Sequence, residues 1–173
     1  MASEARTKDF YLQAATATLN EASRINPAFP PLSLARGVLY LRRASLHAPS
    51  SGSMAGSSDA SDRVETVRQA IRCFEDASRA SGGRNVFAIL GKARAQFSLG
   101  KYPQALEGYQ QVVARMPSMI DPDPRLGIGC CLWHLGFKTD AKAAWERALE
   151  LVRAVTSPSA GRDGTNFVRG TES

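Results

Sequence analysis

Three helical segments of this chain carry the same short code at nearly the same interval. Ala70, Phe74 and Ala77 are followed by Ala105, Tyr109 and Val112, then by Ala141, Trp145 and Ala148, so the leading alanines stand 35 and 36 residues apart. A fainter copy, Ala15, Leu19, Ala22 and Pro27, precedes them, and Pro117 holds the matching proline position one set later. Residues three and four positions apart share one face of a helix. Each set therefore lines up a small residue, a bulky ring and a second small or apolar residue on one stripe. Small residues let helix backbones approach, and the ring fills the gap against the neighbouring helix. A helical stripe returning at this period predicts stacked helix pairs, an all-α solenoid in which each pair packs on the next.

Composition limits the alternatives. The chain has 173 residues, 43% of them hydrophobic, enough for a continuous core. The first residues, MASEARTKDF, are polar and charged, so neither a secretory signal nor a targeting presequence is expected. No apolar run approaches the ~18 to 20 residues that span a bilayer. The expectation is a soluble intracellular protein. Cys73, Cys130 and Cys131 are odd in number, which favours reduced thiols. The formal charge of +6, from 22 basic and 16 acidic residues, admits an acidic partner without requiring one.

Punctuation divides the chain into seven helices. The first is expected from Thr7 to Asn26, stopping before Pro27. Phe29, Pro30 and Pro31 turn the chain into a second, Leu32 to Ala44, with Gly37 as its small packing residue. A third starts at Asp62, with Glu65 three residues on as a capping arrangement, and runs to about Ser81, where Gly82 and Gly83 break it. Two hairpins with glycine at the bend follow: Asn85 to Leu99, Gly100, Tyr102 to Arg115; and Pro124 to Leu135, Gly136, Thr139 to Arg153. Pro103 and Pro124 fall in the first turn of a helix, where proline is tolerated.

Between the second and third helices, Ala48 to Asp62 reads APSSGSMAGSSDASD, too polar to build a core. Ala15 to Ala70 exceeds one repeat of ~34 by about 21 residues, and the excess falls between a helix carrying Gly37 and Tyr40 and its partner carrying Ala70 and Phe74. A disordered loop inserted within one repeat, at about 48–62, accounts for both facts. The alternative is a linker between two domains. The array is expected to occupy residues 1–154, and 155–173, without an apolar stripe, to form a flexible C-terminal tail. In that tail Phe167 and Val168 are the residues able to dock.

The stretch NVFAILGKARAQFSLGKYPQALEGYQQVVARMP, continued by SMIDPDPRLGIGCCLWHLGFKTDAKAAWERALEL, resembles tetratricopeptide repeats. PDPRLGIGCCLWHLG with AWERALEL is similar to one branch of that superfamily, the large tetratricopeptide subunit of the polymerase-associated factor (Paf) complex, which accompanies RNA polymerase II during elongation. The upstream block ARTKDFYLQAATATLNEASRINPAFPPLSLARGVLYL fits the early repeats of the same family, so the resemblance runs from about Ala5 to Leu151, an N-terminal or central segment of a longer protein. It implies a right-handed superhelix of antiparallel helix pairs. It also implies a nuclear, non-catalytic scaffold that holds other subunits of the complex and couples transcription to histone ubiquitination and methylation. Protein partners are expected, with no cofactor, small-molecule substrate or membrane.

In such arrays the first helix of each pair lines the concave face. By register that face should present Leu34, Val38 and Leu41, then Leu90, Arg94 and Phe97, then Leu126, Cys130 and Trp133. The row is mainly apolar and suits an amphipathic or extended partner segment, with Phe97 and Trp133 as anchors. Part of it is equally read as core between helices. Cochaperones of this superfamily grip terminal carboxylates with a clamp of Lys, Asn and Arg. Here the corresponding positions are Leu34, Val38, Gly91, Asp123 and Gly127, which cannot supply that set of donors. A generic peptide-binding adaptor, cochaperone-like in form, is the second reading.

Chemistry has less support. Cys130 and His134 share a helical face, yet no second pair at comparable spacing completes a metal site. Gly127 and Gly129 are read as close-packing positions, and Glu65, Glu75, Asp76, Glu146 and Glu150 as a solvated helix face. Arg42, Arg43, Arg63, Arg68, Arg72 and Arg79 include a helical spacing for a basic, phosphate-binding stripe between Asp62 and Ser81, but Glu65, Glu75 and Asp76 interrupt it, so direct nucleic-acid binding is not expected.

Overall fold

The computed structural model describes residues 2–27, 29, 31–46 and 57–156. Within them the chain forms α1 (Ala2–Ile25), α2 (Pro31–Leu46), α3 (Ser57–Ala80), α4 (Val86–Ser98), α5 (Tyr102–Arg115), α6 (Pro124–His134) and α7 (Lys138–Thr156), with no strand among the described residues. The starts of α4 and α6 are set by side-chain caps that satisfy orphan amides. Asn85 Oδ1 accepts from the Ala88 N–H and Asp123 Oδ1 from the Arg125 N–H, at 3.1 and 2.8 Å. The ends of α4 and α6 share one geometry. Gly100 and Gly136 take positive φ, 72° and 91°. The next residues, Lys101 and Phe137, then donate backward to the carbonyls of Gln96 and Leu132, the Schellman closure that glycine permits. These caps turn α4 directly into α5 and α6 into α7.

The helices pair α2 with α3, α4 with α5 and α6 with α7, while α1 opens the array against α2. Along the stacking direction α3 packs on α4 and α5 on α6, and the first helices of the pairs, α2, α4 and α6, also touch in sequence. This is an all-α solenoid of helix pairs, as the repeating code predicts, and α2, α4 and α6 form its inner row.

The repeating code builds the joints. Ala70, Phe74 and Ala77 are all buried, as are Ala105, Tyr109 and Val112, and Ala141 and Ala148. Each ring meets a helix where glycine leaves room. Phe74 lies between Gly37 of α2 and Gly91 of α4: a Cβ on Gly37 would stand 2.7 Å from the ring, and one on Gly91 would collide with it. Tyr109 occupies the same kind of seat at Gly127 and Trp145 at Gly129, where the indole N–H also donates to the Leu126 carbonyl at 3.3 Å. The stripe fades in α1, where Ala15 is exposed and Leu19 and Ala22 are half-buried. There α1 packs against α2, joined by a 2.7 Å bond from Arg36 to the Ser23 hydroxyl.

Three boundaries differ from expectation by three residues or more, the first being that of α1, which begins at Ala2 where Thr7 was expected. α3 begins at Ser57, so the last part of the expected 48–62 insert is helical; Asp59 lies in its first turn, where a carboxylate offsets the exposed amide dipoles. Residues 48–56 lie outside the described residues. α7 continues to Thr156, past the expected start of the tail, whose remainder, 157–173 with Phe167 and Val168, lies outside them too.

Candidate partner-binding groove

The inner row carries a cavity of about 340 Å³ at the junction of α2, α3 and α4. Leu34, Val38 and Leu41 enter it from one stripe of α2, and Phe87, Leu90 and Arg94 from α4. Its floor is the inter-helix core: Ala44, Val67 and Phe74 are each no more than 3% exposed. Val38 is 50% exposed at the rim, and Phe87 is exposed beside it. Five of the nine residues expected on the concave face are thus gathered in one place. The spacing of four and three within α2 produces this, because it keeps the three side chains on one helical face.

The other four divide differently. Phe97 is not an open anchor. It is half-buried against the core of Ala93, Ala105, Tyr109 and Cys131, with its ring 5.4 Å from Tyr102 and 5.6 Å from His134 in edge contacts. Tyr102 and His134 in turn stack at 4.4 Å and 6°. The register put Phe97 on the right helix, but the turn into α5 swings Tyr102 back over it. Leu126 and Trp133 are 52% and 42% exposed. Trp133 rests on Trp145 at 5.8 Å with the Lys138 ammonium 5.4 Å from its ring, a small cation-aromatic cluster at the α6–α7 turn. Cys130 is half-buried on α6.

Two of the thiols, Cys131 and Cys73, are shifted away from the reactive thiolate form. Burial pushes the Cys131 thiol up to about 11, with Cys130 adding to the effect, and burial raises Cys73 as well. A thiolate nucleophile or metal ligand needs the opposite shift. The His134 imidazole is committed to its aromatic stack, and no group of three or more His, Cys, Asp or Glu converges among the described residues. Three of the five positions that correspond to a carboxylate clamp are also committed: Gly91 and Gly127 seat rings, and Asp123 pairs with Arg125 at 3.3 Å. No helix among the described residues is long and apolar enough to cross a membrane.

The basic stripe is mostly neutralised within its own helix. Arg68 and Arg72 reach Glu65 at 3.7 and 3.8 Å, and Arg79 reaches Asp76 at 2.8 Å. Arg63 stands apart: with Arg42 it borders the cavity. The sequence reading placed Arg63 on a phosphate stripe and passed over Phe87. The usable signal was that Arg63, Val67 and Phe74 share a face of α3. A second, wider trough of about 640 Å³ lies along α3, α4 and α5, but Lys92 and Glu75 within it pair at 2.7 Å and its remaining charges are mixed in sign.

No protein-family profile matches the chain. It is 45% identical over 87 residues, half of this chain, to Tetratricopeptide repeat protein 1 of Schizosaccharomyces pombe. It is 28% identical over 146 residues, 84% of its length, to the Protein CTR9 homolog of Arabidopsis thaliana. Over 154 residues, 88% of its length, it is again 28% identical to the RNA polymerase-associated protein CTR9 of Saccharomyces cerevisiae. The chain spans only 8%, 11% and 13% of those three proteins. Among solved structures, a crystal structure of MamA superposes on 90% of this chain and 96% of its own, with 17% identity and a TM-score of 0.47.

Proposed function

We propose that this chain is a non-catalytic protein-interaction scaffold of a nuclear complex that acts in RNA polymerase II elongation and the histone modification linked to it. The observation that carries this reading is the similarity to the CTR9 proteins of a plant and a yeast along most of the chain. The inner row of α2, α4 and α6 is consistent with it, since half-open apolar side chains at helical spacing suit a partner helix or extended strand. The partners are then other subunits of the polymerase-associated complex, held at the cavity lined by Leu34, Val38, Leu41, Leu90 and Arg94. Trp133 and Leu126 would form a second contact farther along. Residues 48–56 are read as part of a loop within the α2–α3 repeat, which leaves the array a single unit.

The test is to pass purified subunits of the polymerase-associated complex, one at a time, over the immobilised chain. At least one should be retained, and Val38→Gln, at an exposed rim position, should weaken its binding about tenfold, the effect of a modest interface residue. Retention of chaperone C-terminal peptides with none of the subunits retained would replace this reading with the peptide-adaptor one.

A further inference from the structure

The cavity between α2, α3 and α4 has a charge pattern that its apolar walls do not explain. Arg42, Arg63 and Arg94 border it from three different helices, and no carboxylate among the described residues does. Arg68, Arg72 and Arg79 of α3 find acidic neighbours, whereas these three have no ion pair among the described residues. Arg63 goes further: its Nε is shut off from solvent without an acceptor. Buried donors are nearly always satisfied in native structures. A guanidinium that has lost part of its hydration without gaining a partner favours a carboxylate more than a fully solvated one does.

We propose that this cavity docks an acidic segment of a partner polypeptide, whose internal Asp or Glu side chains pair with Arg42, Arg63 and Arg94 while its apolar side chains fill the space beside Val38 and Leu90. The proposal rests on the protein-interaction reading above but not on the identity of the complex. The volume, about 340 Å³, is at the small end of ligand sites, so it admits the side chains of a short segment and leaves its backbone outside. A nucleic-acid strand fits less well, because strand-binding grooves present a continuous basic track with stacking platforms. Here Leu34, Val38, Leu41 and Leu90 separate the cations, and Phe87 is the one exposed ring among the described lining residues, too few for a row of stacked bases.

The experiment is selection of a random twelve-residue peptide display library on the full chain, in parallel with a chain carrying Arg42→Gln, Arg63→Gln and Arg94→Gln. Circular dichroism confirms that both are folded. The expected result is at least twofold enrichment of Asp and Glu together with apolar residues on the parent chain, lost on the triple variant. Individual selected peptides should bind at least tenfold more weakly to the variant, and Arg43→Gln, one residue outside the cavity lining, should leave them unchanged. Selected peptides that are apolar without acidic enrichment would overturn the charge assignment while leaving the groove and the scaffold reading intact. Acidic peptides insensitive to both the triple variant and Val38→Gln would place docking elsewhere and overturn the site. No enrichment at all, or tighter binding of a single-stranded RNA of matching length than of any selected peptide, would overturn the proposal outright.

Discussion

Phe74 shows at the scale of one residue how the array is held. Its ring is 1% exposed and is seated by missing methyl groups on both sides, Gly37 and Gly91. Alanine normally stabilises a helix interior by about 0.5–1 kcal/mol over glycine, whereas an extra methyl in a packed joint costs about 1–3 kcal/mol. The second effect should win at Gly91 because the ring has no side to retreat to. Gly91→Ala is expected to lower stability by about 1–2 kcal/mol, or roughly 2–8 °C in Tm. In a Phe74→Leu background the same change should cost at least about 1 kcal/mol less, a coupling measured by a double-mutant cycle. An equal cost in both backgrounds would mean that the glycine does not serve the ring. Tyr109 occupies the next seat, and there burial leaves a second signature by pushing its phenol up from 10.0 to about 12, while Cys131 beside it is pushed from 9.0 to about 11. Both folded pKa values are raised, so the folded chain keeps protons that the unfolded chain has released. Their contribution is complete below pH 9 and is lost as pH rises through 9–11 for the thiol and 10–12 for the phenol. Urea midpoints should fall across that window, and Tyr109→Phe should flatten the fall above pH 10.

At the scale of the helix, the segment between α2 and α3 is the informative one. These two helices make the most extensive helix-helix contact among the described residues, so they are expected to stay one unit when the connection between them is shortened. Because loop-closure entropy changes by only about 0.6 kcal/mol per doubling of length, replacing residues 48–55 with a short Gly-Ser bridge should alter stability by less than about 1 kcal/mol. The check is the urea midpoint of the shortened chain beside limited proteolysis of the parent. Two fragments that separate after cleavage would mean two domains. The helices themselves were legible in sequence because their ends are written in local chemistry: Asn85, Asp123, Gly100 and Gly136 act on atoms only a few residues away. The start of α3 was less legible, since SSDASD has a loop-like composition and becomes a helical turn ahead of a long packed helix. The groove was half legible for the same reason. Spacing along α2 puts Leu34, Val38 and Leu41 on one face, but no spacing rule shows that Tyr102, beyond a turn, covers Phe97, or that Arg63 from another helix completes the cavity.

For the molecule as a whole, stability in a stacked array is close to a sum of pair stabilities and nearest-neighbour joints, so the position of a damaged joint should decide which helices open. Phe97 lies where α4, α5 and α6 meet, against Ala93, Ala105, Tyr109 and Cys131. Trp133 lies at the far turn, beside Trp145 and Lys138. Truncating Phe97 removes a packed ring and should cost about 3–5 kcal/mol. The consequence is local: hydrogen exchange should show α6 and α7 opening at much lower free energy, while α2 and α3 keep most of their protection. Trp133→Ala removes a ring that is 42% exposed, so it should cost less stability and lower protection mainly in α7. If Trp133 contacts a partner, its loss should also weaken binding of a retained subunit in a chain that remains helical by circular dichroism. Equal loss of protection in all seven helices after Phe97→Ala would show one cooperative unit instead of a chain of joints. The binding defects of groove variants would then have to be separated from global unfolding by measuring affinity at a temperature where each variant remains fully folded.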